Sequence, residues 1–386
     1  MTSFSEIRPE QIRSDCRFYT GYKPCHRHDG CPDCTEFQPR GREVLIIKLG
    51  AMGDVLRTKC ILTGIKRQYP YSWITWLTAP GSEPLVRDPL VDEIHTYSTR
   101  GLGALEGRRF HLLACLDKDA EALALSRRIE SARKVGYAPT DFNTLTVYNQ
   151  GSVHALRLGL SDELKYRHNQ LTHPQILYSM LEMKYQGDGY SLTVPREARE
   201  LAAERLAALK LPAGKPVIGL NTGCGPVFET KQWTAEGYTE LARRLARDHG
   251  FAVLLYGGPR EAPMHAALLD ALGPLAGNGV WDTGTDNSLE TFFALVDRVD
   301  VLVSADTLAM HVAIALRKKV VAFFGPTCEQ EVDLFGRGER IVTDYKCSPC
   351  YLKRCDVRPS CMQALTAETV EAAVVRVLRA VPATSG

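Results

Sequence analysis

The sequence predicts an α/β protein of two doubly wound domains facing each other across a cleft, with a cysteine-rich extension in front of them. Three observations carry that prediction. Strand-like apolar runs alternate with amphipathic helices from residue 44 to 327. The series is interrupted near its middle by the amphipathic segment "PREARELAAERLAALKLPAGKP" (195–216), which ends in Pro/Gly punctuation. The twelve cysteines are unevenly spread, with Cys16, Cys25, Cys31 and Cys34 in one short window and Cys347, Cys350, Cys355 and Cys361 in another.

In chain order, "VLIIKL" (44–49) reads as a strand buried on both faces. A single helix follows, with Val55, Leu62 and Tyr69 on one face and Pro70 as its stop. "WITWLTAP" (73–80), "EIHTYS" (93–98) and "HLLACLD" (111–117) read as further parallel strands. Residues 140–195 are polar and irregular, and their histidines His154, His168 and His173 are expected in surface roles. The second series runs "VIGLNTG" (217–223), a helix over 234–250 capped by Thr234 and closed by Gly250, then "FAVLLYGG" (251–258). It continues with a helix started by Ser288, the strand "DVLVSAD" (300–306), a helix over 307–318 and the strand "VVAFFGPT" (320–327). A last helix spans 366–381. The expected domains are an extension at 1–42, a first domain at 43–210, a second at 211–345, and a cysteine-rich tail with the final helix at 346–386.

With 45% hydrophobic and 24% charged residues and a net charge of +2, the chain reads as an ordinary globular protein, with no basic excess pointing to nucleic acid. The first twenty residues lack the apolar run of an export signal, and no apolar run reaches ~18 residues, so a cytoplasmic protein is expected. In that setting CxxC spacings favour metal over disulfides. The isolated Cys60, Cys115, Cys224 and Cys328 are expected to pack as small apolar residues.

Ligands of open α/β sheets gather at the carboxyl ends of strands, and three such ends are chemically loaded. "LGAMGD" ends on Asp54, a carboxylate where a nucleotide-binding loop would cradle phosphate. "NTGCGPVFETKQW" (221–233) combines Gly223 and Gly225, whose backbone can approach an anion, with the mobile charge of Lys231. "SADTLAMH" (304–311) places Asp306 and Thr307 at a helix start and His311 one turn inside. Singly, each also fits a helix cap or a solvated loop.

Together, "KLGAMGDVLRT", "TKQWTAEGY" and "VSADTLAMHVAIALRKKVVAFFGPT" resemble the family 9 glycosyltransferases, the bacterial heptosyltransferase group. The resemblance implies a GT-B-like fold of two Rossmann-like domains and an inverting sugar transfer that needs no metal. It implies a nucleotide-sugar donor, ADP-heptose in the best-known members, held mainly by the second domain. The acceptor, a lipopolysaccharide core, surface glycan or protein, would face the first domain. Asp54, beside Gly53, then matches the general base. Lys231 would stabilise the leaving diphosphate, and Thr222, Gly223, Gly257, Asp306, Thr307 and His311 would line the donor site. A lipid-linked acceptor would bring the protein to the inner membrane face. Arg57, Lys59, Lys66 and Arg67 could assist there, although a solvated basic helix face is the plainer reading.

The head spacing is C-x8-C-x5-C-x2-C, with His26 and His28 inside it, and the tail spacing is C-x2-C-x4-C-x5-C. Either can supply four thiolates for zinc, iron or an iron–sulfur cluster, in a structural rather than catalytic role. Some protein-glycosylating members of the family that the chain resembles carry a cysteine-bound iron in a comparable tail, at a spacing different from this one, so the resemblance leaves the metal open. The final helix is expected to cross back onto the first domain, where head and tail would be neighbours able to share ligands. Two other readings stand beside the enzyme: a metal- or redox-sensing regulator on a retired scaffold, and an iron–sulfur dinucleotide oxidoreductase. The second is opposed by the lack of G-x-G-x-x-G after the first strand.

Overall fold

The computed structural model describes residues 8–21, 25–27, 31 and 34–380; His28 of the head lies outside them. The strands are β1 (Arg42–Ile47), β2 (Ser72–Thr78), β3 (Glu93–Thr96), β4 (Arg109–Cys115), β5 (Glu130–Pro139) and β6 (Leu145–Val147) in one sheet. The other sheet holds β7 (Val217–Asn221), β8 (Ala252–Tyr256), β9 (Val280–Asp282), β10 (Val301–Ala305), β11 (Lys319–Phe324) and β12 (Gly338–Val342). Their orders are β3-β2-β1-β4-β5-β6 and β12-β11-β10-β7-β8-β9. Every pairing is parallel except β5 with β6. Two doubly wound sheets are therefore present, as the alternation implied.

The strand order reverses between β1 and β4 in one sheet and between β7 and β10 in the other. At such a switch point the connecting loops diverge to opposite faces and leave a crevice. All three loaded loops emerge there: 48–54 after β1, 222–231 after β7 and 306–307 after β10. The central strands hold them rigidly, because Val44–Ile47 and Val301–Val303 are fully buried, continuous apolar runs.

The expected helix after β1 is two helices, Met52–Thr58 and Ile61–Gln68, broken at Lys59–Cys60. The break has a local cause. Gly64 leaves room for Tyr178, whose hydroxyl comes within 3.1 Å of the Cys60 carbonyl; a Cβ on Gly64 would lie 2.6 Å from that ring. Nor is this a solvated basic face. Arg57, Lys59, Lys66 and Arg67 pair with Asp54, Asp88, Asp92 and Asp188, and the Lys59 side chain is only 1% exposed. The residues between 140 and 195 include two further helices, Val153–Leu160 and His173–Met180.

In the second domain Thr234 caps the helix Ala235–Arg247 by accepting from Gly237 N at 2.9 Å. The final helix, Ala367–Arg379, stays in this domain and does not cross to the first. Val370, Ala373, Val374 and Val377 join its core, and Glu371 accepts from Arg244 Nε at 2.5 Å. The head, closed on itself by a Cys16–Pro39 bridge, packs instead on the first domain, where Arg17 pairs with Asp92. The final helix therefore does not bring head and tail together. Among the described residues no helix is long and apolar enough to cross a membrane.

Candidate active site

Asp54 sits in the first turn of the Met52–Thr58 helix, just after the residues that Asp117 pins from β4's exit. Asp117 accepts from Leu49 N at 2.8 Å, Gly50 N at 3.1 Å and Lys48 Nζ at 3.2 Å, which fixes the path of the loop. The Asp54 side chain is 39% exposed, and the residue lines two hollows walled by protein. Such a site resists charge: burial pushes the carboxyl up, but Arg57, 2.7 Å away, and Lys48 outweigh it and hold the group well below the usual carboxylate range.

Across from it, the second domain presents the two switch-point loops tied to each other. Asn221 Nδ2 donates to Gly223 O at 2.8 Å, Ser304 Oγ at 3.1 Å and Thr307 Oγ1 at 3.3 Å. Lys231 Nζ reaches Asp306 twice, at 2.9 Å to its carbonyl and 3.2 Å to Oδ2. Burial raises the Asp306 carboxyl, and the charge of Lys231 together with His311, Arg57 and the Thr327 hydroxyl holds it below its ordinary value. His311 hydrogen-bonds through Nδ1 to the Tyr190 hydroxyl at 2.9 Å and is driven down to about 4 by burial and by Arg57, so it is neutral at pH 7. Gly53 packs directly on it; a Cβ there would meet His311 Cδ2 at 2.9 Å.

A cleft of about 730 Å³ joins these parts, with Gly53 and Asp54 on one wall and Gly223, Lys231, Gly257, Asp306, Thr307 and His311 on the other. Thr222 is the candidate that does not reach it. Its side chain is fully buried, 2.9 Å from His265 Nε2, and supports the loop from beneath. Cys224 differs from the other isolated cysteines, being half-buried on the cleft rather than packed away.

A second hollow of about 330 Å³ opens on the first-domain side of Asp54, lined among others by Lys48, Lys118, Lys165 and His173. His173 is therefore not a surface histidine. Burial and Arg57 push it well below its ordinary value, and its buried Nε2 has no partner among the described residues. Arg57, Glu331, His173 and Tyr190 were missed as site residues in the sequence. The Asp54/Arg57 spacing of three on one helix was a legible signal for the first. The position of Glu331 past the carboxyl end of β11 was a weaker one for the second.

The cysteine clusters do not form ready ligand shells. Among the described residues no three His, Cys, Asp or Glu side chains converge closely enough to hold a metal ion. In the head, Cys16 is buried while Cys25, Cys31 and Cys34 are half-buried. In the tail, Cys347, Cys350, Cys355 and Cys361 all line one hollow of about 450 Å³ beside Pro326.

The comparisons with known proteins bear on the family and the fold. The family described as glycosyltransferase family 9 (heptosyltransferase) matches residues 158–360, more than half of the chain. Lipooligosaccharide heptosyltransferase 2 of Haemophilus influenzae is 25% identical over 304 residues, 74% of this chain and 84% of that one. Among solved structures, a family 9 glycosyl transferase from Veillonella parvula superposes with a TM-score of 0.68 at 17% identity, covering 87% of this chain and 97% of that one. The ADP-heptose lps heptosyltransferase II of E. coli superposes with a TM-score of 0.64 at 18% identity, covering 87% and 98%.

Proposed function

The chain belongs to glycosyltransferase family 9, and from that premise we propose that it transfers a heptose from an ADP-linked donor to a lipopolysaccharide-core acceptor, with inversion at the anomeric carbon. One observation carries the reading: the cleft sets the Asp54 carboxylate on one wall against the Lys231–Asp306 pair and the glycine loops on the other. Two reactants that must meet in line are then held by separate rigid domains.

In this mechanism the acceptor hydroxyl oxygen bonds to the anomeric carbon as the bond from that carbon to the diphosphate oxygen breaks. Asp54 takes the hydroxyl proton. The electron pair leaves with ADP, whose growing charge meets Lys231 and the backbone N–H groups of the Gly223 loop and the Thr307 helix start. Asp306 holds Lys231 in place from below. Gly257 keeps the neighbouring loop open; a Cβ there would lie 2.6 Å from Glu261 Cβ. A lipid-linked acceptor places the enzyme at the cytoplasmic face of the inner membrane as a peripheral protein.

The first test is thermal stabilisation by nucleotides. ADP should raise Tm, and UDP, GDP, CMP and NAD should leave it near the parent value. Stabilisation by UDP or GDP in place of ADP would overturn the ADP-heptose assignment while leaving the glycosyltransferase.

The transfer as proposed has no metal in it. The tail thiols are assigned a structural role, because four of them share one hollow and match the number and type of ligands in a closed structural site. Elemental analysis should find about one zinc or iron per chain. The double substitution Cys350→Ser/Cys355→Ser should abolish that content and lower Tm. Metal-free protein with parental stability would return the tail to four reduced thiols.

A further inference from the structure

Four residues line both the cleft and the first-domain hollow: Asp54, Arg57, Lys165 and Glu331. They mark the place where the two spaces meet, and Arg57 lies between carboxylates of both domains. Its guanidinium contacts Asp54 Oδ1 at 2.7 Å, and it feels the charges of Glu331 and Asp306 from the other wall. The side chain is only 15% exposed, and its Nε is buried without a hydrogen-bond partner among the described residues. Burying a guanidinium and leaving one of its N–H groups unused costs stability. A helix that needed only a surface cation would turn it outward.

We infer that Arg57 is the positioning residue of the transfer: it grips one oxygen of Asp54 so that the other stays aimed at the junction of the two hollows. The grip suits the chemistry. A carboxylate free to rotate would spend much of its time pointing away from the acceptor hydroxyl, whereas one oxygen fixed by a charged donor leaves a single direction for the proton to travel. Burial, with this cation as the second cause, keeps both nearby imidazoles neutral, so neither His173 nor His311 competes for Asp54 as an ion-pair partner.

The inference rests on the reading of Asp54 as the base, and the test separates the two. Steady-state kinetics are measured against pH for Arg57→Gln, Arg57→Lys and Asp54→Asn, with ADP-heptose and a truncated lipopolysaccharide core as substrates. Arg57→Gln should lower kcat about 10²-fold, the usual cost of a misaligned reacting group, with the donor KM little changed. Its acid limb should also move to higher pH. The sign follows from the charges: Asp54 must be deprotonated to act, and losing the cation that holds its pKa down lets it protonate earlier as pH falls. The other titratable groups around it, namely Lys48, Lys118, Tyr137, Lys165, His173, His311, Asp306 and Glu331, are unchanged in both Arg57 variants. Arg57→Lys keeps the charge and loses the planar fork, so it should return the acid limb to its parental position and restore part of kcat. Parental kcat and acid limb in Arg57→Gln, with Asp54→Asn inactive, would overturn the positioning role alone. Equal losses in both Arg57 variants with an unmoved limb would reduce Arg57 to a packing residue. Should Arg57→Gln not fold, Arg57→Met takes its place: a lowered kcat with the acid limb moved to higher pH supports the role, and a parental kcat and limb overturn it. Parental turnover in Asp54→Asn would remove the base itself.

Discussion

Asp54→Ala is expected to lower turnover by ~10²–10⁴-fold while leaving ADP affinity and the fold intact. Each half of that expectation has its own cause. The loss arises because a direct displacement needs a proton acceptor within hydrogen-bond reach of the attacking hydroxyl, and Asp54 faces both hollows where that hydroxyl would lie. The retained binding arises because the expected nucleotide loops, 222–231 and 306–307, are anchored by Asn221, Ser304 and Thr307 of the second domain and make no use of Asp54. Stability should fall at neutral pH without loss of the fold, since the Arg57 side chain, 15% exposed, loses its ion-pair partner. That pairing depresses the carboxyl in the folded state. Any stability it adds is present above the ordinary carboxylate range and disappears as pH falls toward the lowered value. Asp54→Asn keeps the shape and removes the charge, so it should match the alanine variant in turnover. Release of ADP measured against time, beside calorimetric ADP binding, checks both halves. Turnover near the parent's in either variant would end the general-base role.

The fold was legible where both faces of a strand are buried. β1, β7, β10 and β11 carry continuous apolar runs, too short for a buried helix and without the polar positions of a half-exposed strand. β5 escaped because its burial begins as a mixture of exposed and half-buried residues, with Ser131, Arg133 and Lys134 in its first half. β12 escaped because, as an edge strand, four of its five residues keep some solvent contact. β9 is only three residues long. The site divided on similar lines. Asp54, Lys231 and Asp306 each follow a recognisable strand end, so local pattern finds them. His173 and Tyr190 come from the polar stretch between the sheets and Glu331 from a short turn after β11. They meet the site only through the packing of two domains, which no window of the sequence contains. The tail was mistaken for the same reason: nothing in the amphipathic pattern of Ala367–Arg379 says which domain its apolar stripe will cover.

Lys231→Ala should weaken ADP binding and lower kcat/KM by ~10²–10³-fold, the range seen when a donor to a developing anion is removed. A charge-assisted hydrogen bond contributes about 1.5–3 kcal/mol, so the ADP dissociation constant should rise by roughly 10–100-fold. Lys231 has a second employment, however, and it must be separated from the first. Its Nζ is 3.2 Å from Asp306 Oδ2, and the two side chains are 16% and 19% exposed. Without Lys231, burial is opposed only by the remaining neighbours, so the Asp306 carboxyl rises. A folded-state pKa held below the unfolded value contributes stability that is present at neutral pH and lost as pH falls through the folded value. The Tm gap between parent and Lys231→Ala should therefore be widest near pH 7 and should narrow in acid. The uncompensated Asp306 carboxylate would also repel a diphosphate, so weaker ADP binding alone does not prove a direct contact. Lys231→Ala/Asp306→Asn resolves the two effects. The double variant no longer buries an unpaired charge and should recover Tm at pH 7, but it still lacks the cation and should bind ADP as weakly as the single variant. Recovery of both Tm and affinity would show that Lys231 serves only to neutralise Asp306, and the positive partner of the diphosphate would then have to be sought in the backbone N–H groups of the Gly223 and Thr307 loops.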